Sequence, residues 1–559
     1  MGSSRRKSTM IVALLLALGM VAAACGGSSS TNNNSSNGGT PQKGGTLTLS
    51  AEQFPAALNT DLAAYNLAWG VYMLTPVLLG GYQTQPDFSA KPMLLSKEAE
   101  VDPGPPFTVT FSIKPEAQWS DGVPVTAKDF EFTWKTFINP KFDVASRNGW
   151  DDIKSDQIID DHTIKFTFKH NFAPWKTLFT GAGSVLPEHV LAGQDFNKVW
   201  NNCICDPKTG DPIGDGPYLV TGFKKNQSVT LERNPNWWGP HTPYIDKIVF
   251  PYTPDINTEI QSIKSGESDV IYPSPQEELT QFVNADGYGY TATAGTFWNH
   301  LDFNEESATQ PLLKNLWLRQ AIASAINRDQ IVEKLVKPLY SQSTTLQNLL
   351  YVSNQPEYQP HFQTYNYDPA KAKQLLESHG CKMGSDGFYS CNGQELTLGY
   401  KSTSGNELRE LIFQIIQQER KAVGINVQNQ FGEAAVVFGT KGLVGGKYDL
   451  FQFGWVGNPD PFSGFSIWEC GGDQNYQKSC SPDADKLLEQ SNTELDPAKR
   501  ADLVNQADAI YAKDLPVLPL FQAPDFIAYK DYVHGLQNNA TQEGPLWNAA
   551  DVWIDKSGQ

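Results

Sequence analysis

The residue types that make enzymes are present in this chain, but their spacing does not assemble a reactive centre. Only eight histidines occur in 559 residues. HExxH is absent, and Pro187-Glu188-His189 lacks the second imidazole one helical turn away that would complete a zinc site. No G-x-S-x-G elbow presents a nucleophilic serine. Residues 442–447 (GLVGGK) resemble a phosphate loop only loosely. Tyr448 stands where a Ser or Thr must meet magnesium, and the glycine spacing is wrong, so the stretch reads as a flexible turn. Acidic residues are plentiful at 61, and pairs of them could do glycosidase-type acid and base work. Nothing in the sequence sets the separation such a pair needs. The chemistry that remains is binding: carboxylates that could meet a cation, and tryptophans that could wall a pocket.

Cysteine carries the second chemical signal. Cys25 directly follows Ala22, Ala23 and Ala24, at the end of an uncharged apolar run over residues 10–24 (MIVALLLALGMVAAA). Arg5, Arg6 and Lys7 precede that run. A positive start, an apolar run short of the ~20 residues that span a bilayer, and a small-residue end make a secretory signal over residues 1–24. The junction is similar to a bacterial lipobox, with Ala22 where Leu is usual, so Cys25 is expected to carry a lipid. Residues 26–40, nearly all Gly, Ser, Asn and Thr, cannot bury a core. They read as part of a flexible tether over 25–43 with a mean reach of about 20–25 Å. The other six cysteines suit an oxidising compartment. They group locally as Cys203 with Cys205, Cys381 with Cys391 and Cys470 with Cys480, although six cysteines allow about 15 connectivities. No histidine at ligand spacing accompanies any pair, so neither a metal nor another cofactor is expected.

These groups need a scaffold, and the chain is long enough for two to four domains at about 100–200 residues each. The net charge of -18 excludes a general affinity for nucleic acid, which takes clustered Lys and Arg. Alternating or β-branched runs predict strands at 45–50, 107–113, 163–169, 218–223, 228–233, 245–251, 269–271, 425–427 and 449–455. Helices are expected at 62–76, at 126–134 behind a capping box, and at 259–264. Further helices are expected at 315–335 with a break near 327–329, and at 368–376, 407–423, 484–491 and 497–513. Residues 515–521, with two prolines, should run extended. The strand–helix alternation argues an α/β protein with at least two sheets.

Several segments, in order, carry a resemblance: FTVTFSIKPEAQWSDGVPVTAKDFEFTW, GDGPYLVTGFKKNQSVTLERNPNWWG, IQSIKSGESDVIY, LDFNEESATQPLLKNLWLRQAIASAIN and YDLFQFGWVGNPDP. The chain resembles the family-5 extracellular solute-binding proteins, which include oligopeptide- and dipeptide-binding lipoproteins of ABC importers. The resemblance implies a type II periplasmic-binding-protein fold, with two α/β lobes, a hinge and a subdomain inserted in the first lobe. On that mapping the first lobe takes residues 44–85, 211–298 and 523–559, the insertion 86–210, and the second lobe 299–522. It also implies a monomer on the extracytoplasmic face of the membrane or in the periplasm, which binds a peptide without altering it. Its partners would be the importer's permease and ATPase subunits. An oligosaccharide or a metal chelate is the alternative ligand, and an exported hydrolase the alternative class.

The expected cleft residues follow from the same mapping. Gly454, Trp455, Val456, Gly457, Asn458 and Asp460 match the family's second-lobe cleft loop. There an Asp pairs with the ligand's ammonium; the matching position here is Asn458, with Asp460 two residues on. Trp455 is either an apolar wall or a core residue. Glu52, Gln53 and Phe54 follow the first strand, where the family lines the cleft from the first lobe. Glu52 is either a cation partner or a solvated carboxylate. Trp298, with Asn299 and His300, falls at the expected lobe crossing.

Overall fold

A computed structural model describes residues 40–555. The signal segment, Cys25 and most of the tether lie outside the described residues, and residues 40–45 have no regular structure. Ten strands form one mixed sheet. In chain order they are β1 (Thr46–Ser50), β2 (Tyr218–Lys224), β3 (Ser228–Arg233), β4 (Lys247–Pro251), β5 (Val270–Ile271), β6 (Tyr288–Phe303), β7 (Thr397–Lys401), β8 (Asn426–Asn429), β9 (Leu450–Val456) and β10 (Val517–Lys530). Across the sheet they run β8-β7-β9-β6-β10-β5-β1-β4-β3-β2. β1 pairs in parallel with both β4 and β5, so β4, helix Ile256–Ser265 and β5 make a βαβ unit that straddles β1. A second such unit runs from β7 through helix Glu407–Val423 to β8. That helix starts where Asn406 accepts the Arg409 N–H at 3.0 Å and stops at Gly424, whose φ of +95° suits glycine alone.

β6 and β10 hold the two ends of the sheet together. The first half of β6 pairs with residues 524–530 of β10; its second half pairs with 517–522 and also with β9. The register shifts between Ala294 and Trp298, beside Pro524, and again at His300, opposite Pro519. Proline has no N–H to give the ladder, so both irregularities fall where a rung is missing. The buried apolar residues divide around this crossing. One core draws on residues from Leu47 to Tyr272 and from Ile527 to Ile554. The other runs from Trp298 to Ala523.

A four-stranded antiparallel sheet, ordered Glu100–Asp102, Thr108–Ser112, Thr163–Phe168, Ile153–Asp160, packs into the first core. Helix Ala127–Phe137 covers it, and the Asp129 carboxylate closes its start by accepting the Thr126 N–H at 2.8 Å. One expectation needs correction. The helix over 62–76 shrinks to Ala68–Leu74, because residues 61–63 lie in turns and are tied by an isolated bridge to residues 143–145. Ala145 N–H donates to the Asp61 carbonyl at 2.8 Å and Ala63 N–H to that of Asp143 at 2.9 Å. The extended run at 515–521 belongs to the longer β10, and β6, at 16 residues, had no counterpart in the expected strands.

Candidate functional site

A cavity of about 430 Å³ lies where the two cores face each other. Its second-core side is the loop after β9. Gly457 N–H donates to the Thr296 carbonyl on β6 at 2.8 Å, and the Asn458 carbonyl accepts from Gln355 Nε2 at 3.0 Å. Asn458 stands on the cavity wall beside Pro459, Asp460 and Ser463. Asp460 is already committed. Both its oxygens take a guanidinium N–H of Arg500 at 2.7 Å, and Oδ1 also caps the short helix Pro461–Ile467 through the Phe462 N–H at 3.0 Å. Its charge is therefore compensated inside the protein.

The opposite wall comes from the first core. Val71, Phe137, Trp150 and Leu178 make it apolar, and Thr60, Asn66, Thr177 and Ser184 add neutral polar groups. Two carboxylates stand among them. Asp61 is partly accessible from the cavity and lies against Gly183, where a Cβ would come within 3.1 Å of both carboxylate oxygens. Burial pushes its carboxyl up to about 7. Glu543 is only 4 % exposed; its Oε1 accepts the Thr84 N–H at 3.0 Å, and burial also pushes it up to about 7. Neither carboxylate has an ion-pair partner among the described residues. The one cationic side chain in the lining, Lys176, is paired with Glu98 and lies over the rings of Tyr82 and Trp175 at 5.2 and 5.5 Å. A concave wall of mixed apolar and polar side chains offers a small ligand both contact area and hydrogen-bond partners.

A family model for bacterial extracellular solute-binding proteins, family 5 (middle), matches residues 90–476. The chain belongs to that family. It is 29 % identical over 498 residues to the oligopeptide-binding protein OppA of Mycobacterium tuberculosis H37Rv, covering 88 % of this chain and 82 % of that protein. It is 26 % identical over 527 residues to OppA of Bacillus subtilis 168, with 90 % and 92 % covered. Among solved structures it is similar to the periplasmic EDTA-binding protein EppA, at 25 % identity and a TM-score of 0.84, over 93 % of this chain and 98 % of that one. It also shares the fold of AppA from Bacillus subtilis in complex with a nonapeptide, at a TM-score of 0.75 and 21 % identity, over 92 % and 100 %. The fold is thus that of a periplasmic binding protein with two α/β lobes, and β6 and β10 are the strands that cross between them.

In this solute-binding protein the anticipated cleft residues separate into two groups. Asn458 and Asp460 line the large cavity. Trp298, Trp455, Val456 and Gly457 instead line a pocket of about 30 Å³, which Asn458 also borders and which has room for little more than a water. Trp298 is buried and stacks on Trp468; Trp455 stacks on Tyr476 at 6.2 Å and His300 at 6.3 Å, which is packing. Gly454 has the Phe297 ring where its Cβ would be, 2.1 Å away. Glu52, Gln53 and Phe54 are not in the lining. Glu52 accepts from the Ser274 N–H and hydroxyl at 3.0 and 2.9 Å, and Phe54 stacks on Phe223 at 5.5 Å. Gln53 is exposed.

The cysteine sulfurs of 203 and 205, 381 and 391, and 470 and 480 are bonded, with Cα separations of 5.4, 4.1 and 4.5 Å, and none reaches the cavity. Among the described residues no group of three or more His, Cys, Asp or Glu is placed to hold a metal ion. Asp61 and Glu543 were not anticipated. Asp61 follows Asn59-Thr60, a turn signal, but nothing local to Glu543 marks it.

Proposed function

We propose that this protein is the ligand-receiving component of an ABC importer, that it captures peptides in the cavity between its lobes, and that it releases them unaltered. The observation that carries this reading is the cavity itself, which is bounded by the loop 458–463 on one side and by first-core residues on the other. A ligand touching both walls binds the closed arrangement better and shifts the population towards it. The permease and its ATPase then receive the closed form. Residues 44–85, 211–298 and 523–559 act as the first lobe, with 86–210 inserted, and 299–522 act as the second, each as a monomer's rigid part. The register shift beside Gly295 and Pro524 supports a hinge at the joins. The signal segment and Cys25 support export and a lipid anchor on the outer face of the membrane.

The OppA relatives are named for oligopeptides and AppA was solved with a nonapeptide, which supports a peptide ligand. The likeness to an EDTA-binding protein favours a chelate as the second reading. Against it, a polycarboxylate would face Asp61 and Glu543 with only Lys176, already paired, in compensation. Native mass spectrometry before and after unfolding decides: released peptide masses support the proposal, and a released chelate or sugar overturns it.

A further inference from the structure

The second lobe offers a ligand no uncompensated charge. Asn458 is neutral, and Asp460 is tied to Arg500 by two 2.7 Å bonds. All the uncompensated charge on the cavity wall lies on the first-lobe side, and it is negative. Asp61 has no side-chain hydrogen bond or ion pair among the described residues, and Glu543, buried at 4 % exposure, uses one oxygen only. The two flank one loop. Gly183 abuts the Asp61 carboxylate, and two residues earlier a Cβ at Gly181 would lie 3.7 Å from Glu543 Oε1. Both glycines have positive φ, +76° and +88°, so the loop stays free of side chains at the two points where the carboxylates approach it. The neighbouring charges, Lys176 with Glu98 and Asp460 with Arg500, cancel in pairs.

From this arrangement we infer that the ligand carries a cationic nitrogen, an ammonium or guanidinium, and that Asp61, supported by Glu543, is the specificity-determining residue that receives it on the first lobe. The inference rests on the proposed peptide-binding function and adds the charge of the ligand and the lobe that reads it. Holding Asp61 and Glu543 in this wall without a counter-charge is costly, and an incoming cation repays that cost by ionising them, with loss of protons to solvent. The first lobe then docks the cation, and the second lobe closes over the rest of the ligand with a neutral amide.

Isothermal titration of the purified protein tests this with four probes: trialanine, N-acetyl-trialanine, N-acetyl-Ala-Lys-Ala and putrescine. The expected result is that the ammonium-bearing probes bind at least about tenfold tighter than N-acetyl-trialanine. Their binding should release protons, read as an enthalpy that changes with the buffer. Asp61→Asn should abolish the preference, and Glu543→Gln, which keeps the acceptor for Thr84, should weaken it; thermal melting checks that both variants fold. Equal binding of N-acetyl-trialanine, which has no cationic nitrogen, or a preference unchanged in both variants, overturns the cation site and leaves the peptide function standing. Putrescine binding that depends on Asp61, with no peptide binding, upholds the cation site and removes the peptide function. No binding of any probe overturns both.

Discussion

Carboxylates settle the chemistry of this cavity at the residue scale, and their environments separate their roles. Asp460 is held by Arg500 and a helix start, so it organises the loop. Asp61, partly accessible, and Glu543, buried, have no counter-charge among the described residues, and this has a consequence in the absence of ligand. A free Asp ionises near 4, whereas Asp61 in the fold ionises near 7. Well below pH 4 the folded and unfolded chains both hold the proton. Between about pH 4 and 7 the unfolded chain loses it first, so this group's contribution to stability falls as pH rises and levels off above 7. Asp61→Asn removes that loss. Melting of the ligand-free proteins from pH 4 to 8 should show the variant gaining on the wild type with rising pH, by about 2 kcal/mol at pH 8. That figure is below the full shift because the carboxyl is partly accessible. Parallel curves would mean that Asp61 ionises in the fold as it does in the unfolded chain.

At the element scale, the two crossing strands carry the design. Amphipathic helices and alternating strands were legible because each buries one face: Glu407–Val423 and Thr108–Ser112 follow their sequence periods closely. β6 was not, since its first half is only half-buried and its second half is buried on both faces, so no period of two survives. β10 was read only over 515–521, with Pro516 and Pro519; within the full strand, Pro519 and Pro524 sit at the ladder's irregularities. Close packing at the crossing leaves little slack. A Cβ on Gly295 would come within 2.7 Å of the Ala523 carbonyl oxygen, which is backbone and cannot rotate away. Gly295→Ala is expected to destabilise the protein by about 1–3 kcal/mol. Urea unfolding with an unchanged slope would check this, and an unchanged midpoint would show that the crossing is pliable.

For the whole molecule, function depends on how readily the lobes part. Phe462, on the short helix that Asp460 caps, meets Phe172 edge-on at 5.4 Å and packs against both cores. That contact bridges the second-lobe loop and the segment 86–210 without involving the cavity's charged groups. Phe462→Ala should favour the open form: a larger radius of gyration in small-angle scattering without ligand, and about tenfold weaker ligand binding. An unchanged radius with unchanged affinity would place the closing force elsewhere.

The sequence alone determined what is local or repeated in pattern. The alternation of strands and helices, the pairing of nearby cysteines, the absence of enzyme motifs and the family likeness all reside in spacing along the chain. It also pointed to Asn458 and Asp460, because a cleft loop keeps its local order. Only the tertiary structure decided what those residues do. Arg500 lies 40 residues from Asp460, and it is their bidentate pairing that takes Asp460's charge out of play. Asp61 and Glu543 are almost five hundred residues apart, and each reads in sequence as one acid among 61. They become a pair because residues 527–554 pack into the same core as residues 47–272 and bring both carboxylates beside one glycine-rich loop. Burial and missing partners are properties of three-dimensional packing, which no spacing along the chain encodes.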